Sequence, residues 1–219
     1  CGLAAFVPSR KDPAINERAF ANVKKDKGRE AGDGFDGTWV AHPDLVPVAK
    51  GVFDSVLQEK PHQKNKLRED VHVKSQDLLN FHIDKGFISE EGFRNNITVA
   101  LQYLEQWLSG TGATVIFNLM EDVATAEIAR AELWQWLHHQ GRLLDGREIS
   151  PEFYSRVRKE ELEALRKKRE GKYAEAAELL DELILNKDFC DFLTIQERGI
   201  VYERRVQNQS EKIEKRVGV

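Results

Sequence analysis

The hydrophobic pattern changes period partway along this chain, and that change limits the available folds more than any single motif does. Up to about residue 65, strand-like runs alternate with helical stretches. Ala4 to Val7 is an apolar run stopped by Pro8, and Pro13 to about Gly28 has helical composition. Thr38 to His42 reads as a second short strand, and Pro43 to about Glu59 begins with a first-turn proline and continues helically. The order β-α-β-α is that of a parallel sheet covered by helices. Two strands close no barrel and make no stable doubly wound sheet. An apolar strand at the very start needs neighbours to pair with, so the expectation is a fragment whose partner strands lie upstream of Cys1.

From about Lys66 onward the pattern is helical. Ser89 caps a segment in which Phe93, Ile97, Leu101, Leu104 and Leu108 recur at helical spacing, with Gly110 placed as a C-terminal glycine. A helix follows Asp122, another opens at Ser150-Pro151, and Tyr173 to Ile184 carries a further apolar stripe. With a shorter piece near Gln76 to Phe81, the expectation is a bundle of about five helices. The fold class is thus mixed α/β followed by all-α. The expected domains are 1–65, 66–195 and a charged tail, 196–219, that lacks an apolar stripe.

Composition excludes several functions. The 41% hydrophobic content suffices for a real core. No apolar run has membrane-spanning length, and no signal pattern opens the chain. A formal net charge of −4, with acids balancing bases throughout, argues against a nucleic-acid partner. Two cysteines, Cys1 and Cys190, make no disulfide framework, which favours reduced thiols in the cytoplasm, with Cys190 as a small core residue. The six histidines show no paired-ligand spacing, so no metal site is expected from this chain alone. Gly32-Asp33-Gly34-Phe35-Asp36-Gly37 spells a dinucleotide loop but precedes a strand instead of following one, so it reads as a turn. The charge-dense run Arg156 to Lys172 reads as a solvated helix face. Trp107, Trp134 and Trp136 read as bundle core, and Glu127 with Arg130 as an i,i+3 pair.

The acid pair Glu121-Asp122 stands at the start of a run of good helix formers. Asp122 reads as an N-cap, where its carboxylate accepts from free backbone amides and a negative charge is favoured by the helix dipole. A carboxylate fixed on a rigid element is also what a general base needs. By residue pattern alone both readings stand.

The longer string Leu119-Met120-Glu121-Asp122-Val123-Ala124-Thr125-Ala126-Glu127-Ile128-Ala129-Arg130-Ala131 closely resembles the LMEDxATAEIxRAQxWQW signature of malate synthases, the A isoform especially. Gly2-Leu3-Ala4-Ala5 resembles the family's GGMAA strand. Asp36 to Val46 is similar to its late barrel strand and following turn, and Ile88 to Ile97 to its ITEEGxRxNI helix entry. The likeness covers roughly residues 1 to 195.

The resemblance implies the last strands and helices of a (β/α)8 TIM barrel, followed by a C-terminal helical domain capping the active site. It implies an acyltransferase of the glyoxylate bypass that condenses acetyl-CoA with glyoxylate and water to give malate and CoA. Asp122 matches the base that forms the enolate, and Pro43 and Met120 match positions lining the acyl-CoA channel. Glu121 is expected to be structural. The family's catalytic arginine and its ligands to Mg2+ belong to earlier barrel strands with no counterpart here, so the isolated chain is expected to be inactive and to need the rest of the barrel as partner. The alternative is a non-catalytic helical interaction module that pairs with a separate barrel.

Overall fold

The computed structural model describes residues 2–9 and 12–194. The charged tail expected at 196–219 lies outside the described residues. The chain forms two compact units. One takes in residues up to Gly86 together with Val115–Met120, and the other takes in Phe87–Thr114 together with the residues from Glu121 onward.

In the first unit, β1 (Leu3–Ala4) and β2 (Trp39–Val40) pair in parallel, with Leu3 opposite Trp39 and Ala4 opposite Val40. Between them runs α1 (Pro13–Asp33), and a short 3-10 turn (Pro43–Leu45) leads into α2 (Val46–Leu57). This is the expected β-α-β-α order, with shorter strands. Asp12 caps α1 by accepting from the Ala14 amide at 3.0 Å, with Pro13 in the first turn. The helix passes through Gly28, which faces solvent, because Val23 and Ala31 are buried on its other face. It stops at Gly34, whose φ of +103° is costly for any residue with a Cβ. The Gly32–Gly37 motif is therefore a helix stop and turn.

Small side chains make this unit's core. Ala4, Val23, Leu45 and Ala49 are buried together, with Phe20, Val40 and Val48 packed against them. Beneath them the ammonium of Lys27, fully buried, donates to Glu30 Oε1 at 2.8 Å and pairs with Asp26 at 2.8 Å. The Lys27 hydrogen bond holds the Asp26 carboxyl below its usual range, against the opposing effect of burial. A Cβ on Gly2 would lie 1.8 Å from Glu30 Oε1, so that carboxylate occupies space which only a glycine leaves free. The short helix α3 (Ser75–Leu79) has no buried residue.

In the second unit α4 (Glu90–Leu108) packs against α5 (Val123–His138), α6 (Pro151–Lys168) and α7 (Tyr173–Leu185). With α3 wholly exposed, four helices and not five make the packed bundle among the described residues. The Ser89 cap accepts from the Gly92 amide at 2.9 Å, and Gly110 closes the other end with φ +96°. Phe93, Ile97, Leu101, Leu104 and Leu108 are all buried, as their spacing requires. The Phe93 ring lies 5.2 Å from that of Phe153.

Polar contacts tie the helices together. Arg94 on α4 reaches Glu160 at 2.6 Å and Glu161 at 2.8 Å on α6. The charges on α6 thus serve packing as well as solvation. Tyr154 is buried and donates to Asp181 at 3.0 Å; burial, and then the Asp181 charge, push its phenol well above the usual value. Cys190 is half-exposed with its thiol 3.2 Å from the Phe192 carbonyl, so it is not a core residue.

Candidate active site

The residues around Asp122 are not wholly helical. A β-hairpin precedes the helix, with β3 (Ala113–Ile116) and β4 (Leu119–Asp122) joined by Phe117 and Asn118. A two-residue connection makes the strands antiparallel, and both linking residues have positive φ, 52° and 61°, as a type I′ turn demands. This corrects the expectation of a wholly helical pattern from about Lys66 onward. Asn tolerates that conformation and is the visible signal. Phe117 lacks the glycine that ordinarily advertises such a turn, and the strands are only four residues each.

The hairpin sets the direction of the acid pair. Successive strand residues point to opposite sides, so Glu121 is buried while Asp122 is exposed. The Met120 amide donates to the Ala5 carbonyl and the Val7 amide to the Asn118 carbonyl, each at 2.8 Å, with Phe6 and Leu119 in antiparallel register. Residues 118–120 are thereby fixed along residues 5–7, all within the first unit. Two residues later Asp122 becomes the N-cap of α5, and its Oδ1 accepts from the Ala124 amide at 2.9 Å. Among the described residues Oδ2 takes no hydrogen bond, so one oxygen fixes the side chain and the other is available.

Met120 is half-buried, and Pro43 is exposed at the first position of the 3-10 turn, after His42, whose Nδ1 accepts from the Asp44 amide at 3.2 Å. Neither lines the groove of about 310 Å³ that Phe6, Ile15, Arg18 and Phe117 border in the first unit. Among the described residues no group of three or more His, Cys, Asp or Glu side chains could hold a metal ion.

Three residues further along α5 do more than their spacing suggested. Glu127 and Arg130 form the expected pair at 2.6 Å, yet Glu127 also accepts from the Leu193 amide at 2.8 Å. Trp134 is only half-buried and donates its indole N–H to the Asn186 carbonyl at 3.0 Å, so it faces a segment beyond α7 and not the bundle core. No local sequence signal could reveal a contact made to a residue more than 50 positions away.

Comparison with known proteins agrees in both halves. Residues 1–81 match the family model for the malate synthase TIM-barrel domain, and residues 87–200 match that for the malate synthase C-terminal domain. The chain is 46% identical over 209 residues to malate synthase of Streptomyces clavuligerus, covering 93% of this chain and 38% of that protein. It is 48% identical over 197 residues to the bifunctional glyoxylate cycle protein of Caenorhabditis elegans, covering 88% and 20%. With malate synthase A of Escherichia coli strain K12 the identity is 40% over 200 residues, covering 89% and 37%. The chain therefore spans between 20% and 38% of the length of these relatives.

Proposed function

The chain belongs to the malate synthase family, and we propose that it carries the catalytic base of a malate synthase, an acyltransferase of the glyoxylate bypass. The base is Asp122. It takes a proton from the methyl group of acetyl-CoA, and the enolate adds through carbon to the aldehyde of glyoxylate. Water then cleaves the resulting thioester, giving malate and CoA.

One observation carries this reading: Asp122 is exposed, with one carboxylate oxygen held by the Ala124 amide and the other free of hydrogen bonds among the described residues. A base has to be ionised, oriented and accessible before it can abstract a proton. A helix cap at the end of a hairpin meets the last two conditions. Met120 and Pro43 line the acyl-CoA channel in this proposal, since an apolar floor suits a pantetheine arm, while Glu121 supports the strand from its buried side.

In this reading residues 1–65 supply late strands and helices of a TIM barrel, and the helical domain starts at 66. The helical domain to about 195 carries the base, with the charged tail beyond it. The described residues offer no ligand set for the Mg2+ that the family resemblance implies. Electrophilic activation of glyoxylate falls to the rest of the barrel, the partner this reading requires. We infer a cytoplasmic location. No helix among the described residues is long and apolar enough to cross a membrane.

The test uses a protein of the relatives' length that contains this sequence, assayed for glyoxylate-dependent release of free thiol from acetyl-CoA. Asp122→Asn is expected to lower kcat by about 10²- to 10⁴-fold, the usual worth of a positioned base. Turnover that stays nearly intact would reduce Asp122 to a helix cap.

A further inference from the structure

The first turns of α5 have little apolar packing to hold them. Val123 and Ala124 are exposed, and the first buried positions are Ala126 and Ala129, whose methyl groups cover little surface. Yet Asp122 can be oriented only as well as this end of the helix is fixed. From Glu127 onward the helix lies against the segment after α7.

Three residues at i, i+3 and i+7 on α5 hold that segment. Glu127 Oε1 accepts from the Leu193 amide at 2.8 Å, and Oε2 accepts from Arg130 Nε at 2.6 Å. Arg130 Nη2 donates to the Asp191 carbonyl at 3.3 Å, and its guanidinium lies 4.1 Å from the centre of the Phe189 ring. Trp134 donates to the Asn186 carbonyl at 3.0 Å and meets Phe189 edge-on at 5.1 Å. Arg130 is 1% exposed, so its charge depends on this set of partners. Charge-assisted hydrogen bonds are the strong ones among such contacts. The parts are mutually dependent, because removing Glu127 or Phe189 strips a buried cation of part of its compensation.

We propose that residues 186–193 form a strap locked across α5 by Glu127, Arg130 and Trp134, and that Glu127 and Arg130 are positioning residues for Asp122. The proposal rests on the reading of Asp122 as the base. The clamp begins five residues past Asp122, about 7.5 Å along a helix axis. Fixing this part of α5 fixes the geometry of the cap, and so the direction of the free carboxylate oxygen.

The experiment is amide exchange by NMR on the full 219-residue chain, with Glu127→Gln as the first variant and Phe189→Leu as the second. Phe189→Leu leaves every hydrogen bond of the clamp in place, so it stays informative if the first variant fails to fold. Exchange at Ala126 and Ile128 is expected to rise about tenfold in either variant, while Leu101 and Leu180 in the bundle core stay unchanged. The side-chain carboxyl 13C resonance of Asp122 should move with it, and the double variant should exceed neither single by much, because both act through Arg130. Equal acceleration at Leu101 and Leu180 would make the clamp a global stability element and overturn the proposal. A loosened helix start with an unmoved Asp122 resonance would overturn it as well. None of these readouts involves turnover, so failure of the malate synthase reading would appear separately, in the thiol-release assay.

Discussion

The two units of this chain differ in how completely each satisfies itself. The helical unit buries large side chains from all four helices, among them Phe93, Leu101, Tyr103, Leu133, Tyr154 and Leu180. The β-α-β-α unit buries mostly alanines and single branched residues, and leaves Trp39 65% and Phe81 96% exposed. Its sheet has two strands of two residues each. A domain with its own core can be stable alone, whereas two strands with uncovered edges and bare aromatic surface cannot provide much stability by themselves. The contrast matches the family assignment, in which the first part of the chain is a piece of a barrel and the second a domain.

The sharpest test of that contrast is a cavity in the bundle. Leu180 is fully buried on α7, so Leu180→Ala is expected to cost about 2–5 kcal/mol, read as a lower urea midpoint for the helical signal. A cost below about 1 kcal/mol would mean that the bundle core is not the close-packed one described.

Alkaline pH should separate the two units next. Tyr154 and Tyr173 both have phenols raised above the usual value near 10, chiefly by burial, and no tyrosine occurs among residues 1–86 or 115–120. The sign follows from linkage. Above about pH 10 the unfolded chain loses these protons while the folded bundle keeps them, so the unfolded state is favoured as pH rises. Urea unfolding between pH 8 and 11 is expected to show stability present below about pH 10 and falling above it in the helical unit, with Tyr154→Phe flattening the loss. An unchanged slope in that variant would place the titration elsewhere.

The smallest effect is expected from Trp39. Because its side chain is largely in water, Trp39→Ser should change stability by less than about 0.5 kcal/mol, and self-association measured by light scattering should fall as bare aromatic surface is removed. A large loss of stability would show that this residue packs within the first unit after all.

Much of this was legible in the sequence because it depends on near neighbours. The Ser89 and Asp122 caps, the stripe from Phe93 to Leu108 and the stop at Gly110 all follow from helical spacing and capping chemistry. So does the β-α-β-α order, and a run of thirteen residues around Asp122 sufficed to indicate the family. The hairpin before Asp122 was hidden, since its strands are short and Phe117 occupies a turn position that glycine usually marks. The lone exposure of α3 was hidden too, because Leu78 and Leu79 look like core residues in a string of letters but are exposed.

By itself, then, the sequence determined which stretches form helices, where several of them begin, and that Asp122 stands at the mouth of one. Backbone capping and hydrophobic period act over only a few residues, and a linear string records them directly. Only the tertiary structure decided that Glu121 turns inward while Asp122 turns outward, that Glu30 fills the space beside Gly2, and that Glu127 and Arg130 grip a segment some sixty positions further on. Those outcomes depend on which distant groups arrive within hydrogen-bonding distance once apolar surface is buried, and no local rule encodes that.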